Sequence, residues 1–124
     1  MLRARPDPRA AYRRVEFDAR VATSDPRQLV ALCYESFVTE LGTALFAASR
    51  CDMRMKSEAL MRAIAALTAL QLGVRGDGAV VAALHQLYAS ARDAVLDNVL
   101  NFDPATITRI RQDFTEIAAA LVGA

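Results

Sequence analysis

A helix start is encoded by residues 24–35, Ser-Asp-Pro-Arg-Gln-Leu-Val-Ala-Leu-Cys-Tyr-Glu. Asp25 can accept hydrogen bonds from the first free backbone N–H groups, and Pro26 stands at the first helical position, where its missing N–H costs nothing. Gln28 follows three residues after the cap, as a capping box requires. These features predict a helix over residues 26–48.

The first two turns of this helix are apolar around most of their circumference. A main stripe is formed by Val30, Tyr34, Phe37, Leu41, Leu45 and Ala48. Leu29, Leu32 and Cys33 widen the stripe until Ser36 ends it. A helix that is apolar nearly all round must be covered on more than one side. We therefore expect the rest of the chain, together with a partner, to cover this segment.

Length and composition indicate one helical domain. The chain has 124 residues, of which 54% are hydrophobic and only 6% aromatic. Such a chain is long enough to bury a core, and a mixture rich in Ala, Leu and Val favours helix over sheet. The net charge of +1 gives no general attraction to nucleic acid or to an anionic membrane.

Several function classes lack support in the sequence. The apolar runs fall short of the roughly 18–20 residues of a membrane span, and no signal peptide is recognisable. Two separated cysteines and one histidine indicate neither a disulfide framework nor a metal site. The carboxylates are predicted on outer helix faces, without a catalytic pair. We expect a soluble, cytoplasmic protein that is not an enzyme and has no cofactor.

Three further amphipathic helices complete the predicted fold. They are expected over residues 54–74, over residues 79–100 and from Pro104 onward, with Lys56 on an outer face. The glycine-rich residues 73–78 are predicted to connect two helices, and Asp103-Pro104 repeats the cap-and-proline device of Asp25-Pro26. Four helices of similar length joined by short turns predict an all-α, antiparallel up-down four-helix bundle.

The N-terminal segment follows a different pattern. Pro6 and Pro8 are expected to block an early helix, so residues 1–10 are predicted to be a disordered tail. The spacing of Tyr12, Val15, Phe17 and Val21 fits neither a clean helix nor a clean strand. Because these side chains gain about 1.5–3 kcal/mol each when buried, we expect the segment to fold back on or near the first predicted helix. The bundle domain is then residues 11–124.

His85 raises an alternative function. A four-helix bundle with one helical histidine can be a histidine phosphotransfer domain, whose histidine is exposed beside small or basic residues. In this sequence Leu84 precedes His85, and Gln86, Leu87 and Tyr88 follow it. The absence of a neighbouring lysine and glycine favours a histidine at the solvent edge or the rim of the core.

The order of several short motifs resembles the flagellar export chaperone FliS family. The motifs are Ala11-Tyr12, Ala22-Thr23-Ser24-Asp25-Pro26, Leu29 with Leu32-Cys33-Tyr34-Glu35, Leu87-Tyr88, and the stretch from Asn98 to Asp103. Each motif is weak alone, but their order and spacing match the family from about residue 11 onward.

The resemblance implies a helical bundle that binds the disordered C-terminal segment of flagellin. Such a protein would prevent premature polymerisation in the cytoplasm and assist delivery to the flagellar type III export apparatus, and other flagellar regulators are further candidate partners. Disordered amphipathic segments of this kind dock as helices on apolar grooves. Exposed apolar surface would also favour a homodimer when the client is absent.

The candidate flagellin-binding residues come from two sources. Tyr12 is carried over from the Ala-Tyr motif, and the local apolar excess adds Leu29, Leu32, Cys33 and Tyr34. For Leu29, Leu32 and Tyr34, a place in the bundle core is an equally good interpretation. Tyr12 and Phe17 are expected to lie over the site when it is empty, and the client is expected to displace them.

Overall fold

The computed structural model describes residues 8–23 and 25–122, which form five helices. They are α1 (Pro8–Thr23), α2 (Pro26–Ser49), α3 (Met53–Gly73), α4 (Ala79–Leu100) and α5 (Pro104–Val122). Helix α2 packs against α3 and α5, α3 packs against α4, and α4 makes a small contact with α5. The prediction of an all-α bundle with four long helices is confirmed.

The predicted start of α2 is present in full. The Asp25 carboxylate accepts a hydrogen bond from the Gln28 backbone N–H at 2.8 Å, and the Gln28 side-chain oxygen accepts one from the Asp25 backbone N–H at 3.1 Å. Pro26 follows the cap directly. This reciprocal pair satisfies donors that would otherwise be free at the helix start.

The cap of α5 repeats this arrangement in a different form. Asp103 accepts hydrogen bonds from the Ala105 backbone N–H at 3.2 Å and from the Thr106 hydroxyl at 2.7 Å. The bond from Thr106, followed by weaker backbone bonds, lowers the pKa of the Asp103 carboxyl. Buried Asn98 accepts the Asp103 backbone N–H at 2.6 Å and donates to the Ala94 carbonyl, which fixes the turn between α4 and α5.

The core is continuous along the four long helices. Its fully buried large side chains are Tyr34, Phe37 and Leu41 of α2, Leu60 and Leu67 of α3, Val95 of α4, and Ile107 and Phe114 of α5. Alanines at Ala44, Ala59 and Ala63 are also completely buried. Small residues at these positions let the helix axes approach closely, so the many alanines of the sequence contribute to packing as well as to helix propensity.

Two polar side chains lie deeper than the sequence predicted. Lys56, expected on an outer face, is buried, and its ammonium group lies 5.1 Å from the centre of the Phe102 ring. Glu40 is also buried and accepts a hydrogen bond from Arg62 at 2.6 Å. The prediction of outer positions is wrong for both, because a cation–π contact and an ion pair compensate part of the loss of hydration.

The N-terminal segment is helical, which the spacing of its apolar residues did not predict. Helix α1 begins at Pro8, so this proline starts the helix that it was expected to block. Proline is tolerated at the first helical position, and the Ala, Arg and Glu residues that follow have high helix propensity. Most of the predicted tail, residues 1–7, lies outside the described residues.

The turn between α2 and α3 holds a strained backbone. Cys51 has a φ of 56°, in the left-handed region. The Cys51 N–H bonds to the Ala48 carbonyl at 3.1 Å, and the Asp52 N–H bonds to the Ala47 carbonyl at 2.9 Å. These are the two hydrogen bonds of a Schellman motif, in which the left-handed residue is usually glycine. Asp52 also caps α3 by accepting the Met55 N–H, so the turn is only three residues long.

The substitution Cys51→Gly should stabilise the protein by about 1 kcal/mol, because glycine adopts the left-handed conformation without the clash of a Cβ atom. Urea denaturation followed by circular dichroism measures the change. Cys51→Ala is the matched control, since it removes the thiol and keeps the Cβ atom. Equal stabilisation by both variants would show that the thiol, and not the backbone, is the source of the effect.

Candidate functional site

The outer face of α2 is covered close to its start. Leu32 and Tyr34 are two residues apart, so their side chains point about 200° apart around the helix. Tyr34 faces the central cluster, whereas Leu32 lies outside that cluster and is nevertheless only 5% exposed. Among the described residues, α1 is the helix outside the four-helix core, and it joins α2 through residues 24 and 25. The α1 side chains that the structure describes, at residues 9, 11–16 and 19, are exposed.

One end of the four-helix core is open. Because neighbouring helices run antiparallel, α2 and α4 begin at this end and α5 finishes there. Val30 stands one turn before Tyr34, Val80 three turns before Ala91, and Leu121 two turns after Phe114, all along core-facing stripes. Their exposed fractions are nevertheless 40%, 74% and 52%. We call this surface, defined by Val30, Val80 and Leu121, the open end.

The layer beneath the open end is only half closed. Leu84 of α4 and Ile117 of α5 pack against the core cluster but remain partly exposed, as does Val74 just after α3. The bundle therefore presents apolar side chains from several helices at one end, without a helix of the core to cover them.

An aromatic layer closes the core below this region. The Phe114 ring lies 5.7 Å from the Tyr34 ring and 6.4 Å from the Tyr88 ring, measured between centroids. The Tyr34 and Tyr88 hydroxyls share a buried hydrogen bond of 2.7 Å. Phe37 meets Phe114 edge to face at 4.6 Å. These aromatic contacts connect α2, α4 and α5 across the core.

Burial keeps both tyrosine hydroxyls neutral. Loss of hydration is the largest cause that raises the pKa of Tyr34, and the hydrogen bond that it shares with Tyr88 adds to it. Loss of hydration also raises the pKa of Tyr88, against the opposing effect of the bond to Tyr34. Each hydroxyl is the observed partner of the other, so the pair serves to satisfy two polar groups inside an apolar layer.

The predicted site residues fall into three groups. Leu29 and Cys33 of α2 are half-buried at the surface, whereas Leu32 and Tyr34 are buried, so direct contact with a partner would require these two to become uncovered. Tyr12 of α1 is 74% exposed, and therefore its ring does not lie over the bundle in this conformation. The side chain of Phe17 lies outside the described residues.

Cys33 is a packing residue. Its side chain is half-buried and lies against the core cluster, and burial raises the pKa of its thiol. A raised pKa reduces the thiolate fraction, which is the form that attacks electrophiles and binds metals. Cys33 therefore offers an apolar contact surface and not a nucleophile.

The structure gives no support to catalysis or phosphotransfer. No group of three potential metal-ligating side chains occurs among the described residues. Glu40, the buried carboxylate, is held by Arg62. His85 is exposed on α4, but no lysine or arginine lies within one turn of it along that helix to hold a phosphoryl group.

Helix α2 has a composition that needs explanation. Within the described part of the chain, it is the one helix long and apolar enough to cross a membrane by length and composition. Its apolar residues are interrupted by Glu35 and Glu40, and it packs against both α3 and α5. Burial of its core-facing side against α3 and α5 accounts for part of this composition.

The open end is the part of the site that sequence reasoning missed. The helical period places Val80 and Leu121 on the apolar stripes of their helices, as it places Val30 on the main stripe of α2. Periodicity shows which face of a helix is apolar, but it does not show how far along the helix the neighbouring helices remain in contact. The glycine-rich connection 73–78 lies at this end, between α3 and α4.

The comparison with known families gives one match. The profile of the family described as flagellar protein FliS matches residues 8–123 of this chain. This range includes α1 and all four helices of the core. A search of curated proteins found no significant match.

The two hydroxyls of the buried tyrosine pair are expected to contribute to stability as a unit, so the effects of replacing them should not be additive. Tyr34→Phe and Tyr88→Phe are each expected to destabilise the protein by about 1–2 kcal/mol, because the remaining hydroxyl loses its partner. The double variant should cost no more than either single one. Thermal and urea unfolding of the four proteins measures this coupling. Strictly additive losses would mean that the hydroxyls do not depend on each other.

Proposed function

Because this chain belongs to the FliS family of flagellar proteins, we propose that it is a cytoplasmic chaperone that binds the disordered C-terminal segment of flagellin. Binding keeps this segment from polymerising before export. The complex then delivers flagellin to the flagellar type III export apparatus, which is a second partner in this proposal. Other flagellar regulators are candidates for the same surface.

The open end is the observation that carries the proposal. Val30, Val80 and Leu121 belong to core-facing stripes and yet are 40–74% exposed. An exposed surface built from core positions is typical of a site that a partner completes. A disordered amphipathic segment fits it, because such a segment can form a helix whose apolar face covers these side chains. The ordering of the client on binding limits the affinity, which favours later release.

The predicted contact residues divide according to their burial. Half-buried Leu29 and Cys33 extend the apolar surface along α2 and are proposed to contact the client directly. Buried Leu32 and Tyr34 hold the surface in place, and Leu32 becomes available only when its cover moves. The exposed ring of Tyr12 remains a candidate contact contributed by α1.

Helix α1 is proposed to compete with the client. In this proposal α1 covers Leu32, which is buried outside the core cluster, and only residues 24 and 25 connect α1 to α2. A client that displaces α1 exchanges one apolar contact for another, so no large apolar surface stands bare in either state. When neither α1 nor the client covers this surface, a second copy of the chain is expected to bind there, which gives a homodimer.

Calorimetric titration with a synthetic flagellin C-terminal peptide tests the function. Val80→Asp should weaken binding about tenfold, because a charge would replace a methyl contact at the open end. Leu100→Asp is the matched control: Leu100 is 88% exposed at the other end of the same helix, α4. It should bind as the unmodified protein does. Absence of binding by the unmodified protein would overturn the proposed function.

Removal of residues 1–20 tests the competition by α1. The truncated chain should bind the peptide about fivefold more tightly, because the client no longer has to displace a covering helix. It should also associate with itself in sedimentation velocity when the peptide is absent, since Leu32 is uncovered. Unchanged affinity together with an unchanged sedimentation coefficient would show that α1 covers no part of the client site.

A further inference from the structure

A second surface lies at the other half of α2, away from the open end. A groove of about 410 Å³ runs between α2 and α5 and is closed at one side by the start of α3. Its lining combines the large apolar side chains of Leu45, Phe46 and Met55 with Thr39, Gly42 and Thr43. Phe46 is 53% exposed, which is high for a phenylalanine in a bundle.

Arg111 of α5 lies across this groove in a fixed position. Its Nε donates a hydrogen bond of 3.1 Å to the Val38 carbonyl of α2. Its guanidinium group lies flat over Gly42, where an added Cβ atom would stand 3.0 Å from Nη2 and 3.1 Å from Cζ. The absence of a side chain at Gly42 therefore lets the guanidinium reach across the helix contact.

The anchored guanidinium keeps donors for another group. Arginine carries five N–H donors, and the bond to Val38 uses one of them. Within the described part of the chain, no carboxylate forms an ion pair with Arg111, and the groove is lined by no acidic residue. Arg50, whose guanidinium lies 5.3 Å from the centre of the Phe46 ring, adds a second positive charge at the rim.

We propose that this groove binds a carboxylate of the client segment and that Arg111 is the residue that binds it. The side chains of Phe46 and Met55 then contact a neighbouring apolar side chain of the client. The inference rests on the proposed function, because it assigns a second anchor to the same flagellin segment. A planar guanidinium held at Nε presents its terminal N–H groups as a fork, which suits bidentate binding of a carboxylate.

The charge of the groove selects this occupant over a second copy of the chain. Helix α1, the exposed amphipathic segment that a second copy would offer, contains four arginines against two acidic residues. It would place like charges beside Arg111 and Arg50. An acidic, apolar segment instead complements both cations and the exposed Phe46 ring.

One client segment can reach both surfaces. Val30 at the open end and Gly42 in the groove are twelve residues apart on α2, which corresponds to about 18 Å along the helix axis. A helical client of about fifteen residues covers this distance, and an extended client needs fewer. Two anchors at this separation would fix the direction in which the client lies along α2.

The test is a double-mutant cycle between protein and peptide. The peptide is the flagellin C-terminal segment, made with each Asp and Glu changed singly to its amide and, separately, with an amidated C-terminus. The protein is studied unmodified and as Arg111→Gln, with Arg109→Gln as the matched control. Arg109 lies on a different face of α5 and loses the same charge. Fluorescence anisotropy at low and at high salt measures each affinity.

The proposal expects one peptide carboxylate to couple to Arg111. Its neutralisation should weaken binding to the unmodified protein about fivefold to twentyfold, and should have no further effect on Arg111→Gln. Arg111→Gln should also bind with a weaker salt dependence, whereas Arg109→Gln should retain the affinity and coupling of the unmodified protein.

Different failures point to different conclusions. If the unmodified protein binds the peptide but every neutralised peptide loses the same affinity for both proteins, the carboxylate receptor is overturned and the proposed function stands. If the unmodified protein binds no peptide, the proposed function itself fails. A purely structural role of Arg111 would lower the unfolding temperature without any coupling to a peptide carboxylate. If Arg111→Gln does not fold, Gly42→Ala takes its place in the cycle, because its added Cβ atom would stand 3.0 Å from Nη2 and shift the guanidinium group.

Discussion

The structure depends on the need to cover α2 from two sides. One face of this helix carries Tyr34, Phe37 and Leu41 into the bundle core, and the opposite face carries Leu32, which is also buried. Three core helices can satisfy only the first face. The second face is the one on which α1, a helix joined to α2 by two residues, is proposed to lie. The face of α2 that the core does not cover is therefore the place where α1 and the client are proposed to compete.

The bundle changes in character along its length. In the middle, buried alanines bring α2 and α3 together, and Glu40 and Arg62 link them. The aromatic layer of Tyr34, Tyr88 and Phe114 then joins α2, α4 and α5. Beyond this layer the core stripes continue into solvent as Val30, Val80 and Leu121. The same apolar stripes thus form the core and the open end, so packing and proposed function have one physical origin.

The proposed client surface combines two kinds of recognition. The open end offers apolar side chains without direction, since hydrophobic contact depends on buried area alone. Arg111 offers one charge with a defined direction, because its guanidinium donates a hydrogen bond to the Val38 carbonyl and lies over Gly42. An apolar surface gives most of the binding free energy, whereas a directed charge sets the register. A chaperone that must hold a disordered segment and later release it benefits from this division.

The sequence by itself determined the helices and their caps, because hydrogen bonds such as that from the Gln28 N–H to Asp25 are local. It also determined the family, through motifs in a fixed order. It misjudged α1, because apolar spacing carries little information in a helix that is mainly Ala and Arg. Only the tertiary structure decided that Lys56 and Glu40 are buried, that Tyr34 meets Tyr88, and that Val80 lies in solvent. Each of these outcomes depends on how the helices pack against one another, and residues far apart in the sequence determine that packing together.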